Sequence, residues 1–379
     1  MTDFRKPPTQ KEVLDRIKNG SLRLSPLSLR LEKEPTGVRD RGVDAIVDLE
    51  WEGQSAKCAV EIKTISTPRA IRDAASQIKE AAAQLNLVPL IIVPFLSDEE
   101  LQELERKQIS GIDLCGNGIV VVPGRLTVYR TGAPNNFRRS AAIVNIYRRN
   151  TSVVGRVFLA RPSYQSVNEI RNEIEKRSVF DSWWIPIRLS TVSKALKSLE
   201  QDLIVVREDN LIRLLQAEKL LEKLAESYTP LRVWPPDEKA PSIKLRVPVE
   251  QEELLSLLSR ISATEGVPIV GTGLSSTWLY ATMQRGPMLS VYCPWVPRVL
   301  DGSKVKWRVA GVEAEETDRF PNLEIIEIAE QFVYFDSREK AGFRWASPVQ
   351  TYLELMSGDK RDRETAEQVK AQIVTNQQQ

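Results

Sequence analysis

Asp44, Glu61 and Lys63 are the residues of this sequence whose types and spacing best suit catalysis. They fall in residues 42–64, GVDAIVDLEWEGQSAKCAVEIKT, where two apolar, β-branched runs flank a polar turn and predict a β-hairpin. If the chain turns at Glu52–Gly53, Asp44 lies opposite Glu61, and directly opposed residues have Cβ atoms about 5 Å apart. Two carboxylates that close repel each other unless they share a divalent cation. The hairpin therefore predicts a metal site.

Lys63 adds a second chemical function to this site. Side chains alternate along a strand, so Glu61 and Lys63 project from the same face. Mg²⁺ prefers oxygen ligands, and a lysine beside it can orient a water and stabilise charge on a phosphate. The expected reaction is hydrolysis of a phosphodiester, with Mg²⁺ or Mn²⁺ as the cofactor.

The composition excludes several other catalytic classes. The chain of 379 residues has no histidine, which removes Ser-His-Asp and Cys-His triads, HNH-type and HD-type sites and Cys₂His₂ zinc fingers. Cys58, Cys115 and Cys293 are too few and too far apart for a Cys₄ zinc site or a disulfide framework. Catalysis would have to rest on carboxylates, lysine, hydroxyls or an oxygen-bound metal.

Further elements must hold the hairpin in place. Thr67 and Pro68 predict the start of a helix, because threonine caps helices and proline suits their first turn. Apolar residues recur at helical spacing up to Leu85, and the apolar run VPLIIVPF at residues 88–95 predicts the next strand. The expected order is strand, turn, strand, helix, strand.

This Asp…Glu-x-Lys hairpin followed by a helix resembles the PD-(D/E)XK nuclease superfamily, particularly its Mrr-like and resolvase-like members. The resemblance implies that Asp44, Glu61 and the backbone carbonyl of Ile62 hold the metal. It also implies that Lys63 assists the attacking water. Some relatives use a glutamine on the following helix, which would be Gln77 here. The alternative is a degenerate nuclease fold that is kept as a scaffold.

A basic stretch follows this first domain. Residues 138–161 contain six arginines and no acidic residue. This pattern indicates either a phosphate-contacting stripe at a domain junction or a solvated basic loop and helix. The net charge of the whole chain, +2, indicates nothing about nucleic acid. The arginines are Arg138, Arg139, Arg148, Arg149, Arg156 and Arg161.

Residues 190–201, STVSKALKSLEQ, predict a helix with one apolar face, and a short hairpin with a polar tip at residues 207–210 follows. With earlier helices at residues 153–159 and 167–174, this order is typical of a winged helix. Small polar and basic side chains at a helix start suit a DNA groove. The alternative is a winged helix that contacts protein, and Trp183 and Trp184 are expected to pack. Besides the first five of those arginines, the predicted DNA contacts are Ser190, Thr191, Ser193, Lys194, Lys197 and Arg207.

Residues 268–283, PIVGTGLSSTWLYATM, predict a strand, a Gly/Ser turn and a helix, which resembles the start of the nucleotidyltransferase fold. That fold holds its metal with an Asp-x-Asp pair on the next strand, and the strand MLSVYCPW has no acid. Glu324 and Glu327 do not replace this pair. We therefore expect a non-catalytic domain that contacts DNA or a partner protein.

The sequence predicts an α/β and α+β multidomain protein. It contains no apolar stretch of about 18 residues and no signal-peptide core, so we expect a cytoplasmic protein without membrane contact. The predicted domains are residues 1–136 (PD-(D/E)XK nuclease-like, α/β), 137–228 (winged helix) and 241–357 (nucleotidyltransferase-like, α/β). A polar tail follows at 358–379, where we expect a helix that frays towards the end.

Four segments together resemble the AbiEi-type regulators of type IV toxin–antitoxin (abortive infection) systems over roughly residues 40–360. They are GIDLCGNGIVVV, STVSKALKSLE with its wing, GTGLSSTWLYA and ASPVQTYLELM. In that family a winged helix binds operator DNA, and a C-terminal domain helps the protein act as repressor and antitoxin.

Three functional hypotheses follow. The first is a prokaryotic protein that binds double-stranded DNA and has a Mg²⁺-dependent endonuclease site, in phage defence or mobile-element biology. Cutting of both strands would imply a homodimer. The second is a non-enzymatic AbiEi-like repressor or antitoxin on operator DNA. The third is a subunit of a larger nucleoprotein complex that binds a partner protein through its last domain, residues 241–357.

Overall fold

The computed structural model describes residues 8–33, 43–137, 145–178, 186–228, 242–282, 288–303 and 306–377. It is a mixed α/β protein with several sheets, and it divides into two compact units. The first unit is Met1–Ala142 with Gln201–Leu203, and the second is Ile143–Glu200 with Ile204–Gln379. In the described part of the chain, no helix combines the length and apolar character needed to cross a membrane.

The first unit is built on an eight-stranded sheet whose strands lie side by side in chain order. They are β1 Arg23–Leu24, β2 Leu27–Lys33, β3 Ala45–Trp51, β4 Gln54–Ile62, β5 Val88–Val93, β6 Ser110–Asp113, β7 Gly118–Val122 and β8 Leu126–Arg130. Strands β4, β5 and β6 run parallel, and the other neighbours are antiparallel. The carboxyl ends of β4, β5 and β6 therefore meet at one edge of the sheet.

Three helices cover the two faces of this sheet. They are α1 Gln10–Lys18, α2 Pro68–Leu85 and α3 Asp98–Arg106. One face packs its apolar side chains with those of α1, and the other packs against α2 and α3. Helix α2 begins as predicted, because the Thr67 hydroxyl accepts from the Ala70 amide and Pro68 occupies the first turn.

The predicted register of the β3–β4 hairpin is confirmed. The pairs run from Ala45 opposite Val60 to Trp51 opposite Gln54. This is the register that a two-residue turn at Glu52–Gly53 produces. Both turn residues have positive φ, 42° at Glu52 and 76° at Gly53. This conformation closes a two-residue hairpin without splaying its strands, and it favours glycine.

The second unit begins with helices and a small three-stranded sheet. The helices are α4 Val153–Ala160, α5 Val167–Arg177, α6 Leu189–Gln201 and α7 Ala217–Ser227. The strands are β9 Ser163–Tyr164, β10 Val205–Glu208 and β11 Leu211–Leu214, in the order β10-β11-β9. The three predicted helices and the hairpin after them are confirmed. Trp183 and Trp184 lie outside the described residues.

A nine-stranded sheet completes the second unit, in the order β15-β16-β17-β12-β18-β14-β13-β20-β19. Its strands are β12 Ser242–Arg246, β13 Val270–Gly271, β14 Leu289–Cys293, β15 Leu300–Ser303, β16 Lys306–Val309, β17 Val312–Glu316, β18 Leu323–Glu327, β19 Arg338–Lys340 and β20 Phe343–Trp345. The helices are α8 Gln251–Glu265, the one-turn α9 Gly273–Ser276, α10 Pro348–Met356 and α11 Lys360–Thr375.

Two features of the second unit differ from the sequence predictions. The sequence predicts a helix that frays into a polar tail at residues 358–379, whereas α11 is a regular helix that is capped by Asp359 and buries Ala366, Val369 and Ile373. Its polar composition belongs to the exposed face of an amphipathic helix. The winged-helix and third domains, predicted as separate, also share one hydrophobic core in which Val157 of α4 and Val369 of α11 both take part.

Candidate functional site

The strongest site candidate lies at the sheet edge where β4 and β5 end. Asp44 directly precedes β3, Glu61 is the penultimate residue of β4, and Lys63 directly follows β4. Glu61 is paired with Ile91 of the parallel strand β5, and the Lys63 amide donates to the Ile92 carbonyl at 2.9 Å. The hairpin register and the parallel pairing thus place all three predicted residues at one edge.

Two short hydrogen bonds hold the functional groups of this edge. The Ile62 amide donates to Asp44 Oδ2 at 2.7 Å, and Lys63 Nζ donates to Glu61 Oε1 at 2.6 Å. The Asp44 amide donates to the Val60 carbonyl at 2.8 Å, which extends the hairpin to this residue. The structure therefore brings Asp44, Glu61 and Lys63 together, as the sequence suggested.

The Glu61 carboxylate is only partly compensated in charge. Glu61 is 4% exposed, and burial is the main reason that its pKa lies above the ordinary value. The negative charge of Asp44 raises the pKa further, whereas the hydrogen bond and charge of Lys63 lower it. When both carboxylates are ionised, they carry two negative charges against the single positive charge of Lys63, so an added cation would be favoured.

The donor set fits Mg²⁺ or Mn²⁺. Among the described residues, no hydrogen bond uses Asp44 Oδ1 or Glu61 Oε2, so one oxygen of each carboxylate can serve as a ligand. No cluster of three or more His, Cys, Asp or Glu suited to a metal occurs in the described ranges. Two carboxylates, the predicted Ile62 carbonyl and water are a normal set for Mg²⁺, which keeps several waters in protein sites.

Gln77 stays a prediction. Helix α2 turns Ile71, Ala74 and Ile78 towards the sheet, on the face to which Glu61 also belongs. Gln77 lies among the exposed residues of the same helix. Its part in the site is therefore an inference from the family resemblance alone.

Sequence reasoning missed Ser66, which supports the site. The Ser66 hydroxyl accepts from the Phe95 amide at 2.8 Å. This bond ties the segment after β5 to the segment after β4, which carries Lys63. The serine precedes the helix-capping Thr67, and nothing in the sequence distinguishes it from a second cap.

Asp113, at the end of β6, is a further carboxylate at this edge. It is 1% exposed and accepts hydrogen bonds from four backbone amides and from Asn117 Nδ2. Burial raises its pKa although these donors lower it. Both of its oxygens are engaged, so Asp113 fixes the loops around it and does not add a metal ligand.

The second unit carries the predicted DNA contacts on and around α6. Ser190, Ser193, Lys194 and Lys197 are exposed, and Thr191 is half-buried. In the hairpin that follows, Arg207 forms an ion pair with Glu200. Helix α6 thus presents small polar and lysine side chains to solvent, whereas the charge of Arg207 is largely neutralised.

The predicted arginine stripe divides into different environments. Arg148 and Arg149 are exposed, and Arg138 and Arg139 lie outside the described residues. The prediction that Arg156 contacts DNA is wrong, because this residue is only 3% exposed. Its guanidinium donates to the Phe332 carbonyl at 3.1 Å and lies over the Phe332 ring. Burial lowers the pKa of Arg156 to about 10.

Arg156 begins a polar network that ends at the Gly/Ser turn. Its guanidinium donates to Gln350 Oε1 at 3.0 Å, and Gln350 Nε2 donates to Glu354 Oε1 at 2.9 Å. The Leu274 amide then donates to Glu354 Oε2 at 3.2 Å. A Cβ at Gly273 would lie 2.6 Å from the Glu354 carboxyl carbon. Because Gly273 has no side chain, the Glu354 carboxylate can pack directly against the turn.

No protein-family model matches the sequence, and no curated protein matches it either.

Proposed function

We propose that this protein binds DNA and hydrolyses its phosphodiester bonds with Mg²⁺ or Mn²⁺, at a PD-(D/E)XK-like site. The observation that carries the proposal is the meeting of Asp44, Glu61 and Lys63 at one sheet edge. Asp44 directly precedes β3 and Glu61 lies on β4, and the hairpin register aligns them. A structural ion pair would need Lys63 and Glu61 but not the second carboxylate.

The chain's own residues supply most of the mechanism. Asp44 and Glu61, with the Ile62 carbonyl, would hold the cation, and the Ile62 amide orients the Asp44 carboxylate. The bound cation supplies Lewis acidity to a phosphate oxygen and lowers the pKa of a coordinated water. Lys63 is 29% exposed through its side chain, so its ammonium can reach a water or a phosphate at the open edge.

We assign DNA binding to a winged helix formed by α4, α5, α6 and the β10–β11 hairpin. The exposed Ser190, Ser193, Lys194 and Lys197 on α6 support this role, because small polar and basic groups fit a DNA groove. The nine-stranded sheet would be a non-catalytic, nucleotidyltransferase-like scaffold. Its Gly/Ser turn is already occupied, because the Glu354 carboxylate lies against Gly273 and accepts from the Leu274 amide.

A cleavage assay tests the proposal directly. Purified protein is incubated with supercoiled plasmid, linear duplex, branched and single-stranded DNA, with Mg²⁺, Mn²⁺ or EDTA, at low salt. We expect nicking or cutting that needs the metal and disappears in Glu61→Ala and Lys63→Ala. If no DNA form is cut with either metal, the nuclease proposal fails.

The second candidate is a non-enzymatic repressor or antitoxin, similar to the AbiEi-type regulators. It is favoured by the exposed Ser193, Lys194 and Lys197 of α6, because these side chains could bind DNA without any metal site. This reading predicts a mobility shift with the protein's own promoter that is the same in wild type and in Lys63→Ala. A neighbouring gene for a nucleotidyltransferase-type toxin would support it.

A further inference from the structure

The two partners of the Lys63–Glu61 ion pair differ in their exposure to solvent. The Lys63 side chain is 29% exposed and the Glu61 side chain 6%, so the ammonium reaches inward from the open edge to a buried carboxylate. Lys63 Nζ donates to Glu61 Oε1 at 2.6 Å, a short charge-assisted hydrogen bond that places the ammonium directly against the carboxylate. Lys63 therefore occupies a position next to Glu61 that a divalent cation would also seek.

We propose that Lys63 acts as a stand-in cation in the metal-free protein, and that metal binding displaces its ammonium from Glu61 towards the open edge. This inference rests on the proposed function, because it assumes that Asp44 and Glu61 bind a divalent cation. Asp44 needs no such displacement, since its partner is the backbone amide of Ile62. The two carboxylates thus play different parts.

Electrostatics supports the displacement. Two cations that share one buried carboxylate repel each other more strongly than they would in water, because the local dielectric is low. The divalent ion satisfies both carboxylates, whereas Lys63 contacts only Glu61. The lysine stem is flexible and its ammonium is strongly hydrated, so it can turn to solvent at small cost. Metal loading would then free Lys63 for a substrate phosphate.

Lys57 provides a matched control on the same hairpin. It forms an ion pair with Glu32, and that pair is more exposed, with side-chain values of 53% and 37%. Each lysine is therefore paired with a glutamate, and Lys57 lies on β4 whereas Lys63 directly follows it. Asp48 lies directly opposite Lys57, so both pairs have a second carboxylate nearby. The two pairs differ in burial, since the Glu61 side chain is 6% exposed and the Glu32 side chain is 37% exposed.

The experiment measures metal binding and lysine accessibility separately. Mn²⁺ binding to the full chain is followed by electron paramagnetic resonance, and amine-reactive labelling is read out by peptide mass spectrometry. With saturating Mn²⁺ or Mg²⁺, we expect labelling of Lys63 to rise several-fold and labelling of Lys57 to stay unchanged. Lys63→Met should bind Mn²⁺ about tenfold more tightly than wild type, and Lys57→Met should not.

The outcomes separate this inference from the proposed function. If Mn²⁺ binds wild type and Glu61→Gln abolishes that binding, the metal site stands. If Lys63 labelling then stays flat or falls, the displacement is overturned while the nuclease proposal survives. If neither wild type nor Lys63→Met binds Mn²⁺, both are overturned.

Discussion

Two polar clusters of this protein contain the same kinds of groups and differ in how completely they are enclosed. The Asp44–Glu61–Lys63 cluster of the first unit has two carboxylates, one ammonium and an open side, and the net effect on Glu61 is a raised pKa. The Arg156–Gln350–Glu354 cluster of the second unit is closed by carbonyl, amide and backbone partners. Charge that reaches solvent is available for chemistry, whereas buried charge held by several hydrogen bonds serves the fold. Arg156 Nε is nevertheless buried without a hydrogen-bond partner within the residues that the structure describes.

The largest expected effect is on cleavage by the first cluster. Glu61→Gln keeps the size of the side chain but removes the charge that would hold the cation, so we expect Mg²⁺-dependent nicking to fall by about a thousandfold or more. Thermal unfolding should show no loss of stability, because a buried carboxylate with a raised pKa is less favourable in its ionised form at neutral pH. Glu32→Gln, at the more exposed ion pair of the same sheet, is the control and should cut normally.

The second prediction concerns the closed cluster. Arg156→Ala leaves Gln350 and the Phe332 carbonyl without their donor and opens a cavity, so we expect a loss of about 3–5 kcal/mol from the second unit. Urea unfolding with hydrogen exchange of α4 peptides measures this. Arg149→Ala, at an exposed position, should change stability by less than about 0.5 kcal/mol. Equal effects of the two variants would contradict the division of the arginine stripe.

The third prediction tests the contact between the Gly/Ser turn and Glu354. Gly273→Ala should destabilise the second unit by about 2 kcal/mol, because the new Cβ collides with the carboxylate. In a Glu354→Ala background the same change should cost about 0.5 kcal/mol or less. A double-mutant cycle by urea unfolding gives the coupling, and additive effects would mean that the carboxylate does not fill the turn.

The fourth prediction concerns DNA affinity. Lys194→Ala/Lys197→Ala should weaken binding to duplex DNA about tenfold and reduce the salt slope by about two, since two phosphate contacts are lost. Fluorescence anisotropy at several salt concentrations measures both quantities. Lys360→Ala, an exposed lysine at the start of α11, should leave the slope unchanged.

The smallest expected difference is in the reactivity of the three cysteine thiols, which differ in burial. Burial raises the pKa of Cys58 and of Cys293 to about 12, and both should resist alkylation in the folded protein. Cys115 is half-buried with a raised pKa, so less thiolate forms at a given pH. Its alkylation rate should therefore keep rising between about pH 7 and pH 10, beyond the pH at which an exposed thiol levels off. Peptide mass spectrometry follows each cysteine.

The sequence was sufficient for the first cluster because local rules determine it. A two-residue turn at Glu52–Gly53 fixes the hairpin register, and the register alone aligns Asp44 with Glu61. The start of α2 was equally predictable, from Thr67 and Pro68. Each of these features depends on residues that are close in the chain, and the hydrophobic pattern agrees with them.

The second cluster depends on contacts that no local rule supplies. Arg156 is buried because Phe332 and Gln350 meet it from far along the chain, so its neighbours in sequence gave no sign of its environment. The narrow apolar face of α11 was also hard to recognise among its polar residues, because its packing partners lie far away in the sequence. Asp113 is a similar case, because its carboxylate accepts hydrogen bonds from the loops after β5 and β6, and the sequence does not show that the sheet brings these loops together.

The core shared by α4 and α11 has a consequence for synthesis of the chain. Val157 and Val369 belong to one hydrophobic core, so the helices assigned to DNA binding cannot complete their packing until the last helix has left the ribosome. The first sheet contains its strands within residues 23–130 and can fold while translation continues. Each newly made molecule would thus acquire the Asp44–Glu61 edge before the helices proposed to bind DNA are fully packed. Under the proposed function, nascent chains would pass through a stage that has the proposed metal site without a complete DNA-binding domain.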